Sequence, residues 1–216
     1  MNTAASNLKL TKSRIVDEAI SFADEYGVGA LSMRKLAERL GAGTMSLYTH
    51  VANKDDLIAA MIDVVSLEIE LPRPDLDWRR SLLDCAASAH QTLHAHPWAA
   101  PEWTGRMPGA TRLRLMEAIL ATLTRAGLDD SLVYRGYHAV TMHIVGFTIQ
   151  ELGYLAAAGA PGLEGQAEQF LESLTDADLP HMADHVRGHL EPDSHGDEFE
   201  FVLGLILDGL ERANEP

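Results

Sequence analysis

The stretch "LSMRKLAERLGAGTMSLYTHVANKDDL", Leu31 to Leu57, decides how the chain is read. Leu36, Ala37 and Leu40 recur at helical spacing, and Gly41 and Gly43 then interrupt the run. Leu47 and Val51 resume it, and Asn53 with Asp56 three residues on resembles a helix-opening cap. Ser32 is a fitting N-cap for the first of these short segments, which ends before Gly41. The second is expected over Met45–His50. Two short helices joined by a glycine-bearing turn of three or four residues form a helix-turn-helix, the arrangement that lays its second helix in the DNA major groove.

Outward from this stretch the 3.6-residue period continues almost everywhere, and hairpin-bounded alternation is absent. The fold class is all-α. On the N-terminal side a helix over Lys12–Tyr26 places Ile15, Ala19, Phe22 and Ala23 on one face and stops at Gly27. On the C-terminal side a long helix runs through Leu57, Ile58, Met61, Ile62 and Val65 to Glu70, where "LPRPDLD" ends it. Further helices are expected near Trp78–His96, Thr111–Ala126, Asp130–Ala158, Leu163–Ser173, Pro180–Leu190 and Glu198–Asn214. "AAAGAPGLEG" and "EPDSHGDE" read as loops. The boundaries that follow are a reader at 1–54, a connecting helix at 55–71 and a C-terminal domain at 72–216.

Charge is distributed unevenly. The whole chain of 216 residues carries −15, a balance that by itself argues against nucleic acid. Residues 1–54 nevertheless hold seven basic side chains against five acidic ones, +2, which leaves −17 on the other 162. The two parts are therefore expected to have different partners. A single cysteine, Cys85, excludes an intrachain disulfide, and the start "MNTAASNLKLTK" has no apolar signal core, so a cytoplasmic location is expected. The longest apolar run, "FVLGLILDGL", is broken by Gly204, Asp208 and Gly209, and no membrane role is indicated.

If Leu36, Ala37, Leu40, Leu47 and Val51 close on the first helix, the other side of the third segment is left for DNA: Thr44, Met45, Ser46, Tyr48, Thr49 and His50. Hydroxyls, a thioether and aromatic rings can meet base edges, thymine methyls or phosphates. Arg34 and Lys54, each at the start of a helix, stand where phosphate contacts would anchor the reader.

The segment "SRIVDEAISFADEYGVGALSMRKLAERLGAGTMSLYTHVANKDDLI", and within it the pattern "LAERLG…LYTHV.NKDDL", resembles the DNA-binding domain of the TetR/AcrR family of transcriptional regulators. The resemblance implies a homodimeric repressor with a three-helix reader, a connecting fourth helix and a C-terminal ligand-binding and dimerisation domain. It carries the DNA contacts over to Arg34, Thr44, Met45, Ser46, Tyr48, Thr49, His50 and Lys54. The C-terminal ending "DEFEFVLGLILDGLE" resembles the tetracycline-repressor branch, which implies that this helix and the one at Asp130–Ala158 pair with their copies in a four-helix interface. Phe199, Val202, Leu203, Ile206 and Leu210 are its expected apolar face. A two-fold dimer would set the reading helices roughly 34–36 Å apart, or a small multiple of that, on a palindromic operator.

Histidines invite a metal reading. His90 and His94 are one helical turn apart and could share an ion. His143 and Glu151 match the spacing of the histidine and glutamate through which the resembled branch holds drug-bound magnesium. However, "WTGRMP" puts Trp103 where that branch has its other metal histidine, and Met107 where it has arginine. The preferred expectation is a pocket without metal or cofactor for an apolar or aromatic ligand, lined by His90, His94, Trp98, Trp103, Met116, His138, Met142, His143 and Phe147, with Glu151 as a polar anchor. A magnesium–tetracycline sensor and a ligand-independent DNA binder are the alternatives. An enzyme is not expected, since no HExxH, GxSxG or phosphate-loop pattern occurs.

Overall fold

The computed structural model describes residues 9–158, 163–190 and 198–215. Within these residues every regular element is helical. The two expected loops centre on 159–162 and 191–197 and lie outside the described residues.

The N-terminal end is built from α1 (Lys12–Tyr26), α2 (Met33–Leu40), α3 (Thr44–Leu47) and the start of α4 (Lys54–Val65). Thr11, Ser32 and Asn53 each accept a backbone N–H of the first turn they cap, those of Arg14, Lys35 and Asp56. Gly41 closes α2 in the left-handed conformation, at φ 64°, which a side chain would resist. Ile15, Leu36, Leu47, Val51 and Leu57 meet in the core between these helices, each 2 % exposed or less. Arg39 fastens α2 to α1 by ion pairs with Glu18 and Glu25, and its guanidinium lies over the rings of Phe22 and Tyr26.

Two expectations here need correction. α3 is one turn, Thr44–Leu47, instead of Met45–His50; the chain then turns, with Val51 donating to the Leu47 carbonyl. The Thr49 hydroxyl also donates to the Ser46 carbonyl at 2.7 Å, a local bond that competes with continued helix. α4 likewise stops at Val65, where Ser66 donates its hydroxyl back to Ile62 at 2.7 Å. The next residues, Ser66–Glu68, tighten into a 3-10 turn.

The C-terminal part comprises α5 (Trp78–Ala95), α6 (Ala99–Glu102), α7 (Ala110–Arg125), α8 (Asp130–Ala158), α9 (Leu163–Asp176), α10 (Pro180–Leu190) and α11 (Glu198–Ala213). α5, α7, α8 and α11 pack around Leu82, Leu93, Leu123, Val140, Leu203 and Leu207. The short α6, which periodicity does not announce, sits between Pro97 and the "WTGRMP" segment. α11 turns Phe199, Leu203, Leu207 and Leu210 inward and leaves Phe201, Val202 and Leu205 exposed. Val202 therefore belongs to the outer side of α11, while Phe199 is buried within the subunit. Among the described residues no helix is long and apolar enough to cross a membrane.

Candidate functional site

The α2–turn–α3 unit presents a compact outer surface. Met45 is 77 % exposed and Tyr48 42 %. Ser46 and Thr49 are exposed beside them, and Thr44 and His50 are half-buried. Leu47 alone of this turn points wholly inward, at 0 % exposure, which holds the others outward. Arg34 stands exposed on α2 in a loose pair with Glu38 at 3.5 Å. Lys54, at the start of α4, is partly buried, and its Nζ donates to the Val28 carbonyl at 3.3 Å, a contact that helps to hold the reader's shape.

A second constellation lies between α5, α8 and α11. His90 and His94 sit one turn apart on α5, and Thr148 and Glu151 face them from α8. Glu151 Oε2 lies 3.1 Å from His90 Nε2 and 2.7 Å from His94 Nε2. The His90 ring stacks on Phe199 at 4.2 Å with 9° between planes, and Phe147 meets it edge-on at 5.9 Å. His143 donates from Nε2 to the Phe199 carbonyl at 2.9 Å and stacks on the same phenyl ring at 4.8 Å. Burial lowers the basicity of both His90 and His143; Glu151 opposes that for His90, and the Phe199 carbonyl opposes it for His143. Among the described residues His90, His94 and Glu151 form the group whose ligand atoms, all within 4.8 Å of one another, could hold a metal ion.

Five of the expected ligand residues are thus brought together: His90, His94, His143, Phe147 and Glu151. Others lie elsewhere. His138 and Met142 are exposed on the outer side of α8, Met142 at 57 %, and His138 packs against Tyr134 and Tyr137. Their positions fall on the solvent side of a helix whose core side carries Val140, Ile144 and Thr148. Trp98 is 6 % exposed, and its indole N–H donates to Asp24 of α1 at 2.7 Å, so it joins the two parts of the chain and does not wall a cavity at the histidines. Trp103 is half-buried with the Arg112 guanidinium 5.4 Å from its ring, and Met116 is half-buried on α7. Phe199 and Thr148 join the cluster without having been anticipated. Phe199 was masked by the apolar pattern of α11, whereas Thr148, three residues before Glu151, was open to the same helical spacing argument.

Polar contacts at three places tie α1 and α4 to the C-terminal helices. Asp24 accepts from both Trp98 and His96, the latter at 2.8 Å. Asp63 on α4 accepts the Arg112 backbone N–H at 2.9 Å and so caps α7, which has no side-chain cap of its own. Arg106 bridges Asp55 of α4 and Glu102 of α6, at 2.8 and 2.7 Å. Beside this last bridge an open, acidic cleft of about 510 Å³ is lined by Asn53, Asp55, Asp56, Glu102 and Arg106 among others. Cys85 is buried, its thiol pushed up to about 12, which makes it inert as a nucleophile.

The chain is similar to known proteins over most of its length. Residues 15–61 match the bacterial regulatory proteins of the tetR family, and residues 71–213 match the tetracyclin repressor-like C-terminal domain. The HTH-type transcriptional repressor DrrR1 of Streptomyces coeruleorubidus is 32% identical over 94% of this chain and 77% of its own length. The class A tetracycline repressor protein from transposon 1721, of Escherichia coli, is 32% identical over 94% of this chain and 92% of its own. The crystal structure of the Streptomyces coelicolor TetR family protein ActR in complex with actinorhodin has a TM-score of 0.81 at 29% identity, covering 96% of this chain and 98% of that one. The chain belongs to the tetR family of bacterial transcriptional regulators and carries its helix-turn-helix and its tetracycline-repressor-like C-terminal domain.

Proposed function

We propose that this chain is a homodimeric repressor that holds a palindromic operator through residues 1–54 and releases it when a small, largely hydrophobic or aromatic ligand enters the domain formed by residues 72–216. Residues 55–71 transmit the change. The exposed Met45, Ser46, Tyr48 and Thr49, with the half-buried Thr44 and His50, read bases and the backbone, with Arg34 on a phosphate; Lys54 contributes mainly by holding the reader's shape.

The observation that carries the ligand reading is the ring cluster of His90, His143, Phe147 and Phe199, whose mutual contacts a flat guest would replace. ActR, solved with actinorhodin, lends support by its likeness over nearly the whole chain. Dimerisation is supported by the outward apolar side chains of the contacting helices α8 and α11, Tyr134, Met142, Ile149, Phe201, Val202 and Leu205. Entry of the guest displaces α5 and α8 relative to α7, and the Asp63 cap and the Arg106 bridge pass that movement to α4. The ligand must favour the non-binding spacing of the readers by its differential affinity, on the order of 1–3 kcal/mol.

An electrophoretic shift with the DNA upstream of its own gene tests this, repeated with a panel of polycyclic aromatic and lipophilic compounds. Retardation that a member of the panel reverses is expected. Retardation that no compound alters would leave the ligand-independent reading, and none with any fragment would remove DNA binding.

A further inference from the structure

Within the ring cluster the side chains of His90, His94 and Glu151 converge on one point. Thr148 is fully buried and donates its hydroxyl hydrogen to the Ile144 carbonyl at 2.7 Å. Its oxygen also lies 2.8 Å from His90 Nδ1, and this contact on one side of the ring turns Nε2 toward Glu151. His90 Nε2 stands 3.1 Å from Glu151 Oε2, where His94 Nε2 arrives as well, at 2.7 Å. Two imidazole nitrogens and a carboxylate converging within 4.8 Å of one another are the protein share of a metal centre.

We propose that His90, His94 and Glu151 bind a divalent transition-metal ion of the zinc kind through the two Nε2 atoms and the carboxylate. Imidazoles at i and i+4 share one face of α5, and the carboxylate comes from the facing helix, a donor set suited to zinc, cobalt or nickel and poorly suited to magnesium. Thr148 supplies the outer contact that fixes the tautomer of a ligating histidine, and stacking on Phe199 fixes the plane of its ring. With bonds of about 2.1 Å a tetrahedral ion spaces its ligand atoms roughly 3.4 Å apart, so the carboxylate need retreat only slightly. Three protein ligands leave one position for water or for an oxygen donor of the ligand. The set is distinct from the His143–Glu151 pairing, since His143 Nε2 is spent on the Phe199 carbonyl. The proposal deepens the ligand reading given above, but the ion's binding stands without it.

The test is titration of metal-stripped full-length protein with Co²⁺, followed by its visible absorption and by Zn²⁺ competition, with no DNA or organic compound present. One ion per chain is expected. Glu151→Gln, close to isosteric, and His94→Ala should abolish the signal or weaken it by about tenfold or more, and Thr148→Val by about 10- to 100-fold. His181→Ala, on the exposed surface of α10, should bind as the parent does. Far-ultraviolet circular dichroism confirms that each variant is folded. No saturable binding, or equal binding by the parent and Glu151→Gln, would overturn the ion while leaving operator release to its own assay; loss of operator binding would leave the ion untouched.

Discussion

His143 shows how a single residue sets a condition on the whole. Its ring is held between Phe147 and Phe199 with Nε2–H on a carbonyl, and burial holds its pKa below the ordinary value. The unfolded chain takes up this proton near the usual histidine pKa of about 6.5, whereas the native state resists it to lower pH. Stability from this group is present above that value and is lost as pH falls toward the native pKa. Urea midpoints should therefore decline between about pH 7.5 and 5.5, and His143→Gln should flatten that decline; an unchanged slope would assign it to other groups. At the DNA surface, the Tyr48 ring is half outside the fold, so Tyr48→Phe keeps its packing and removes only the hydroxyl. Operator affinity should fall by about 0.5–1.5 kcal/mol, the net worth of one hydrogen bond. Arg34→Ala should instead lower the slope of log affinity against log salt by about 1. Binding isotherms at several salt concentrations separate the two.

Among elements, α8 and α11 approach each other closely at Gly136. A Cβ built on Gly136 would lie 2.9 Å from Leu210 Cδ1, so the two helices meet there because one position has no side chain. Gly136→Val should destabilise the fold by about 1–3 kcal/mol through overpacking, and Leu210→Ala in the same chain should recover part of the loss. Calorimetry of the two single variants and the double variant measures this. The elements themselves were largely legible in the sequence, because caps and breakers are local chemistry. Ser32, Asn53, Gly27 and Gly41 mark helix ends by bonds to neighbours within a few residues. What was not legible was how a helix is rotated against its neighbours. Met142 and His143 are adjacent in sequence, yet one is exposed and the other stacked on Phe199, and the nearly uniform hydropathy of α8 does not tell its two sides apart. Trp98 looked like a cavity wall for the same reason. Its partner Asp24 lies 74 residues away, beyond any spacing rule.

For the whole molecule, the distribution of charge and the joints between its two parts answer the same need. The excess of −17 outside residues 1–54 is repelled by phosphates and leaves the weakly basic end to face DNA. In the proposed release mechanism a signal from the ring cluster crosses to that end through a few contacts. Asp24 is the acceptor for two of them, from His96 and Trp98, at the corner between α5 and α6. Trp98→Phe preserves a buried aromatic ring but removes the N–H that Asp24 accepts. The ring cluster and the reading surface are both left intact by this change. Affinity for the operator without ligand, and affinity for the ligand without DNA, should therefore each stay close to the parent's. The factor by which ligand weakens operator binding should shrink, because linkage makes that factor a property of the joint and not of either end. Fluorescence anisotropy on labelled operator, across ligand concentrations, reads the factor directly. A variant that loses operator affinity outright would show that Trp98 shapes the reader, and one with undiminished release would show that the Trp98 bond carries none of the signal, leaving it to the His96–Asp24, Asp63 and Arg106 contacts.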